Sequence, residues 1–242
     1  MGRAGRAEKA SSAEASQTRL ALIYAAERLF AEQGLQRTSL RQINIEAGQR
    51  NESAIHYHFG SREAVILAIL ELRTRPINEV RLQMLSEART KAGDAPLSSA
   101  ALAEVMVMPL AQSISVGAQA NHYIRFLTQL SLDRAMRQRV SDGPHDTAVV
   151  QCVKELARSK PYYPSPVVRQ RFVAASFVMN RMLAILEEIM QTQRERSAAT
   201  LDSELRIANV IDMMVGIFDA PVSPSAICAL EAINRKRDSA KS

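Results

Sequence analysis

Between Thr18 and Glu32 the apolar positions Leu22, Ile23, Ala26, Leu29 and Phe30 return at three- and four-residue intervals, with Arg19, Glu27, Arg28 and Glu32 read as facing away. That period lines side chains along one stripe of an α-helix and predicts a first helix. Gly34 ends it in the left-handed C′ position, with Leu35 folding back on the last turn. Thr38 and Ser39 open a second helix, and Gln42, three residues after Ser39, completes a capping box. Leu40, Ile43 and Ala47 form its buried side, and Gly48 stops it. Asn51 is the expected N-cap of a third helix that runs to about His58, before Gly60. Ile55 and Phe59, four apart, turn inward, so Glu52, Ser53, His56 and Tyr57 face out. A helix of two turns does not persist alone, so packing on the first two must hold it.

Ser61 caps a fourth helix through Val65, Ile66, Ile69 and Leu72, and Arg73-Thr74-Arg75-Pro76 is expected to break or kink it before Val80, Met84 and Leu85. After a surface connection at Lys91 to Leu97, the periodicity predicts helices at about 98–117 (with Pro109 as an internal kink), 120–139, 144–159, 166–196, 202–219 and 224–234. No internal repeat or alternating strand pattern is visible. The fold class is all-α, with about nine or ten helices. The expected organisation is a flexible tail at 1–17, a three-helix domain with a helix-turn-helix at 18–62, a larger helical domain at 63–234, and a C-terminal tail at 235–242.

Composition narrows the partners. Of 242 residues, 47% are apolar and 5% aromatic, with no Trp, so aliphatic side chains and Met supply the burial, which suits helices. A net charge of +6 fits a polyanionic partner, but residues 1 to 75 hold 11 basic and 8 acidic residues and the remainder carries the same excess, so charge alone marks no binding face. Cys152 and Cys228 sit far apart in helical patterns and read as reduced thiols rather than a disulfide or a metal knuckle. The basic N-terminus has no apolar segment behind it, and no run approaches the ~18 apolar residues of a membrane span. The expected location is the cytoplasm, with no membrane partner and no cofactor.

An exposed set of short donors and acceptors on a brief third helix is what reading base edges in a major groove requires, with longer side chains for phosphates. The candidate DNA-binding residues are Ser39, Arg41, Arg50, Asn51, Glu52, Ser53, Ala54, His56, Tyr57, His58 and Arg62. His56 and His58, at i and i+2, lie about 200° apart on a helix and cannot share a metal, so no metal site is expected. None of the four His adjoins a nucleophile motif, so no catalytic residue is assigned.

The block from Thr18 to Leu70, with TRLALIYAAERLFAEQGLQRTSLRQI, then EAG, then YHFGSREAVI, resembles the N-terminal domain of the TetR family of transcriptional regulators. The resemblance implies that Arg62 grips a phosphate and that the fourth helix joins the DNA-binding domain to a ligand domain. It also implies a homodimer through the helices at about 166–196 and 202–219, bound to a double-stranded operator. The sequence departs from the family in a turn after Gly48 that is one residue longer, in Asn44, and in His56 where a Tyr is usual. Met106, Tyr123, Phe126, Met179 and Met182 are the candidate lining of a pocket for a small apolar or aromatic effector. The reading is a dimeric repressor released by that effector. The alternatives are an activator or dimeric scaffold without an effector and, further off, a helical hydrolase.

Overall fold

A computed structural model describes residues 3–51, 53–115, 121–141, 147–192 and 199–239. Among these residues there are eleven helices and no strand: α1 (Arg3–Gln33), α2 (Leu40–Glu46), α3 (Ala54–Phe59), α4 (Arg62–Ala92), α5 (Ser99–Ser115), α6 (Tyr123–Leu132), α7 (Arg134–Ser141), α8 (Thr147–Ser159), α9 (Ser165–Thr192), α10 (Ala199–Asp219) and α11 (Pro224–Ser239). The all-α expectation holds. No single described helix is long and apolar enough to cross a membrane.

The stripe on α1 buries Leu22, Ile23, Ala26 and Phe30 completely. Leu22, Ile23 and Phe30 each contribute roughly 1.5–3 kcal/mol of transfer free energy. α1 begins at Arg3 and α11 runs to Ser239, so helix extends into both segments expected as tails. Ala, Glu, Lys and Arg are good helix formers, and polarity without a breaker is not disorder.

α1 packs on α2, α4 and α6, so the three-helix unit is joined to the body through α1 as well as α4. Of the break or kink expected at Arg73 to Pro76, the break does not occur: α4 continues through Pro76. Pro76 is exposed, and it removes the in-helix donor of the Leu72 carbonyl.

The helix expected at 120–139 is two, α6 and α7, because Asp133 interrupts it. Asp133 Oδ1 accepts from Met136 N (3.0 Å), and Oδ2 accepts from Gln36 Nε2 (2.8 Å). An aspartate that caps the next helix starts a new axis there.

α9 pairs with α10, and α10 also packs on α5. Phe172 and Phe218 stack across the pair with centroids 6.3 Å apart. Val168, Phe172, Ala175, Met179, Leu183 and Leu186 of α9 are buried within the single chain, as are Val210, Met214 and Phe218 of α10. Most of the apolar face read as a contact between copies therefore belongs to the intrachain core. The exposed apolar positions left on these helices include Leu205 and Ala208 on α10 and Val173 and Phe177 on α9.

Candidate nucleic-acid interface and internal cavity

The helix-turn-helix is held by side chains that satisfy helix ends. Thr38, fully buried, donates to Leu29 O (3.2 Å) and Gly34 O (3.0 Å). Ser39 and Gln42 form the expected capping box, with Ser39 N donating to Gln42 Oε1 (2.7 Å) and Gln42 N donating to Ser39 Oγ (3.2 Å). Gly48 adopts φ +68°, the left-handed conformation that turns the chain after α2. Asn44 is buried, and its Oδ1 accepts from Ile55 N (3.1 Å), so α2 supplies an acceptor for a free amide at the start of α3. This departure from the family pattern therefore locks the second and third helices together.

The structure rearranges the candidate DNA-binding set. Arg41, Arg50, Asn51, Ser53, His56 and Tyr57 are exposed, with Tyr57 at 83%. His58 is half-buried against Tyr57, rings edge-on at 5.1 Å, and Arg62 is half-buried in the first turn of α4. Ala54 is buried with Ile55 rather than exposed with the others, because α3 starts at Ala54 and turns its first residue inward. Asn51 is not the N-cap. Ser53 takes that position, and Asn51 Oδ1 instead accepts from Ser53 N (2.9 Å), closing an Asx turn before the helix. Ser39 is exposed, but its hydroxyl is engaged in the capping box. Glu52 lies outside the described residues. Ile45, 67% exposed on α2, adds an apolar element to the same region.

A cavity of about 700 Å³ lies among α4, α5, α6, α8 and α9. Met106, Tyr123 and Met179 line it as expected. Phe126 and Met182 do not. Phe126 is fully buried between Phe30 of α1 and Tyr123, each centroid 6.2 Å away, and Met182 is half-buried outside the cavity wall. The wall also carries polar groups that the apolar reading missed: Thr74, Asn78, Arg81 and Asn180.

Beside the cavity a buried polar cluster joins the two parts of the molecule. Glu27 of α1, 1% exposed, accepts from Arg73 of α4 (2.7 and 3.0 Å) and from His122 N (3.0 Å). Burial opposes the charge on Arg73, yet the Glu27 carboxylate raises its pKa overall. Glu187 of α9, with no exposure, accepts from Ile124 N (3.1 Å), Arg125 N (3.2 Å) and Arg125 Nε (3.2 Å), capping α6 from a neighbouring helix. Burial pushes the Glu187 carboxyl up to about 7 against those donors. His122 is held down at about 4 by burial and by the charges of Arg125, Arg28 and Arg73. Thr74 and Tyr123 share a hydrogen bond of 2.7 Å on the cavity wall, one residue along α4 from Arg73.

Glu27 corrects the expectation that it faces away from the core, and Glu187 is buried in the same manner. The signal was available: Glu27 follows Ile23 by four and Glu187 follows Leu183 by four, which places each on its helix's buried stripe. Among the described residues, no group of three His, Cys, Asp or Glu could hold a metal ion.

Residues 22–69 match the family model described as bacterial regulatory proteins, tetR family. No curated protein matches the chain in sequence. Among solved structures, a TetR family transcription regulator from Marinobacter aquaeolei VT8 is similar at 13% identity, over 81% of this chain and 95% of that one, with a TM-score of 0.50. NalD, the secondary repressor of the MexAB-OprM multidrug efflux pump in Pseudomonas aeruginosa, aligns over 83% of this chain and 96% of that one at 19% identity, with a TM-score of 0.48. At such identities the likeness concerns the fold, and the Marinobacter protein carries it.

Proposed function

We propose, from the match of residues 22–69 to the tetR family model, that the protein is a dimeric transcriptional repressor, released from a palindromic operator by a small molecule in the internal cavity. The observation that carries this reading is the course of α4. It begins beside the exposed face of α3 and continues along the wall of a 700 Å³ cavity, so one continuous helix touches both places. Arg41, Arg50, Ser53, His56 and Tyr57 meet the operator, with Arg62 toward a phosphate and Asn51 near the base edges. A second copy joins through α9 and α10, and its two-fold symmetry matches paired half-sites. Occupation of the cavity shifts the equilibrium only as far as the ligand prefers the released arrangement.

Mobility shifts of the full-length protein on the DNA upstream of its own coding sequence test this. A sequence-selective, salt-sensitive complex is expected. The double variant of Tyr57→Phe and His56→Ala should weaken that complex at least tenfold while sedimentation still shows the dimer. A dimer that forms no selective complex would sink the proposal, and a selective complex at which transcription rises would reverse the sign of regulation.

A further inference from the structure

A hydrogen bond left open on the cavity wall constrains what the cavity takes. Asn180, on α9, lies on that wall, and its side-chain oxygen Oδ1 is buried with no hydrogen-bond partner. A carbonyl oxygen taken out of water gains nothing from apolar neighbours, and leaving it unpaired opposes folding. Ser176, one turn earlier on the same face of α9, cannot supply the missing proton, because its Oγ donates to Phe172 O (2.8 Å). Across the cavity, Thr74 of α4 and Tyr123 of α6 are joined by their own 2.7 Å bond. The α9 side chains that flank Asn180 on the wall, Val173, Phe177 and Met179, are apolar. A buried acceptor in that condition is explained by a partner from outside the chain.

We propose that Asn180 selects ligands that bring a hydrogen-bond donor: the cavity takes an apolar molecule bearing a hydroxyl or N–H, which donates to Asn180 Oδ1 while the hydrocarbon body lies among the side chains of α4, α6 and α9. An apolar body that fills the cavity shuts solvent away from Oδ1, so a ligand without a proton to give leaves that oxygen unpaired while it is bound. A ligand with a donor closes the bond, and the low dielectric around it strengthens the contact. Sites built on a buried polar group reject the analogue that lacks its partner far more strongly than they sense one methylene more or less. The inference rests on the effector reading above and adds a polar requirement to the expected apolar or aromatic ligand. The volume accommodates a ligand of the size usual for such pockets, on the order of 300–1,000 Å³.

Calorimetric titration of the full-length protein with two isomeric pairs isolates the donor: n-nonanol against methyl n-octyl ether, and para-pentylphenol against para-butylanisole. Within each pair the atoms are the same and only one member has a proton to donate. The hydroxyl member should bind roughly tenfold tighter or more in both pairs. Asn180→Leu should bring each pair to parity or favour the ether, and Asn180→Asp, which keeps an acceptor in place, should preserve the preference. Should either variant lose the fold, the wild-type ratios still decide. Equal binding within either pair, four compounds that do not bind, or a preference that survives Asn180→Leu would overturn the inference. Operator release is measured separately with the same compounds. Donor preference without release would support the ligand class and count against the repressor reading; release by both members of a pair alike would support the repressor reading and overturn the ligand class.

Discussion

Glu187 and His122 lie on either side of Arg125 and titrate in opposite senses. Glu187 binds its proton more tightly in the folded chain, at about 7 against 4.5, because burial disfavours the carboxylate. Its contribution to stability is present below pH 4.5 and is lost as pH rises through 7. His122 binds its proton less tightly, at about 4 against 6.5, through burial and the nearby guanidiniums. Its contribution is present above pH 6.5 and is lost as pH falls through 4. The two offset each other between about 4.5 and 6.5, so wild-type stability should be nearly level there. Glu187→Gln should expose the histidine's slope and make the protein lose on the order of 2 kcal/mol on acidification from pH 6.5 to 4.5. His122→Asn should do the reverse, with stability falling as pH rises from 4.5 to 7. Urea unfolding across that range checks both, and parallel profiles for all three proteins would count against the pairing. At the other end of the molecule, Asn44→Leu leaves the Ile55 amide without its acceptor. A loss of roughly 1–3 kcal/mol, with operator affinity falling further than stability alone explains, is expected in denaturation and binding measurements.

Among the elements, α2 was legible at its ends, because Ser39, Gln42 and Gly48 state its start and stop within ten residues, while its inner face is Ile43 with Asn44, and Leu40 and Ala47 are only half-buried. α3 was legible in place but not in register. Asn51 and Ser53 both suit a cap, and only the Asn44 contact from α2, a tertiary fact, turns Ala54 inward. The split at Asp133 depends in the same way on Gln36, which lies on a distant part of the chain. Of the five pocket residues read from composition, Met106, Tyr123 and Met179 reach the cavity, while Phe126 is claimed by Phe30 across a helix contact that periodicity does not encode. α9 and α10 show the same limit: a broad apolar face does not say which part is used within the chain. The residual face on α10 makes the test specific. Leu205→Glu, at a position 69% exposed, should leave monomer stability within about 0.5 kcal/mol and shift the sedimenting species from dimer to monomer. An unchanged dimer would move the contact elsewhere.

For the whole molecule, the Glu27–Arg73 pair and the Thr74–Tyr123 bond tie α1, α4 and α6 together one residue apart. Glu27→Gln weakens the α1 side of that tie, and Tyr123→Phe removes the bond at the cavity side. Tyr123→Phe should change the ligand concentration needed for release by several-fold and leave operator affinity in the absence of ligand nearly unaltered; comparing the two in one mobility-shift series checks it. α4 also has a mechanical consequence. Because the helix is unbroken, Arg62 stands fifteen residues from Ile77 on a single rod, about 22 Å at the helical rise. With Ile77 as the fulcrum, a tilt of about 5° would carry Arg62 through roughly 2 Å, comparable with the helix shifts that separate the two states of known switches. The helix would then act as a lever, and the gain would be set by the distance from fulcrum to tip.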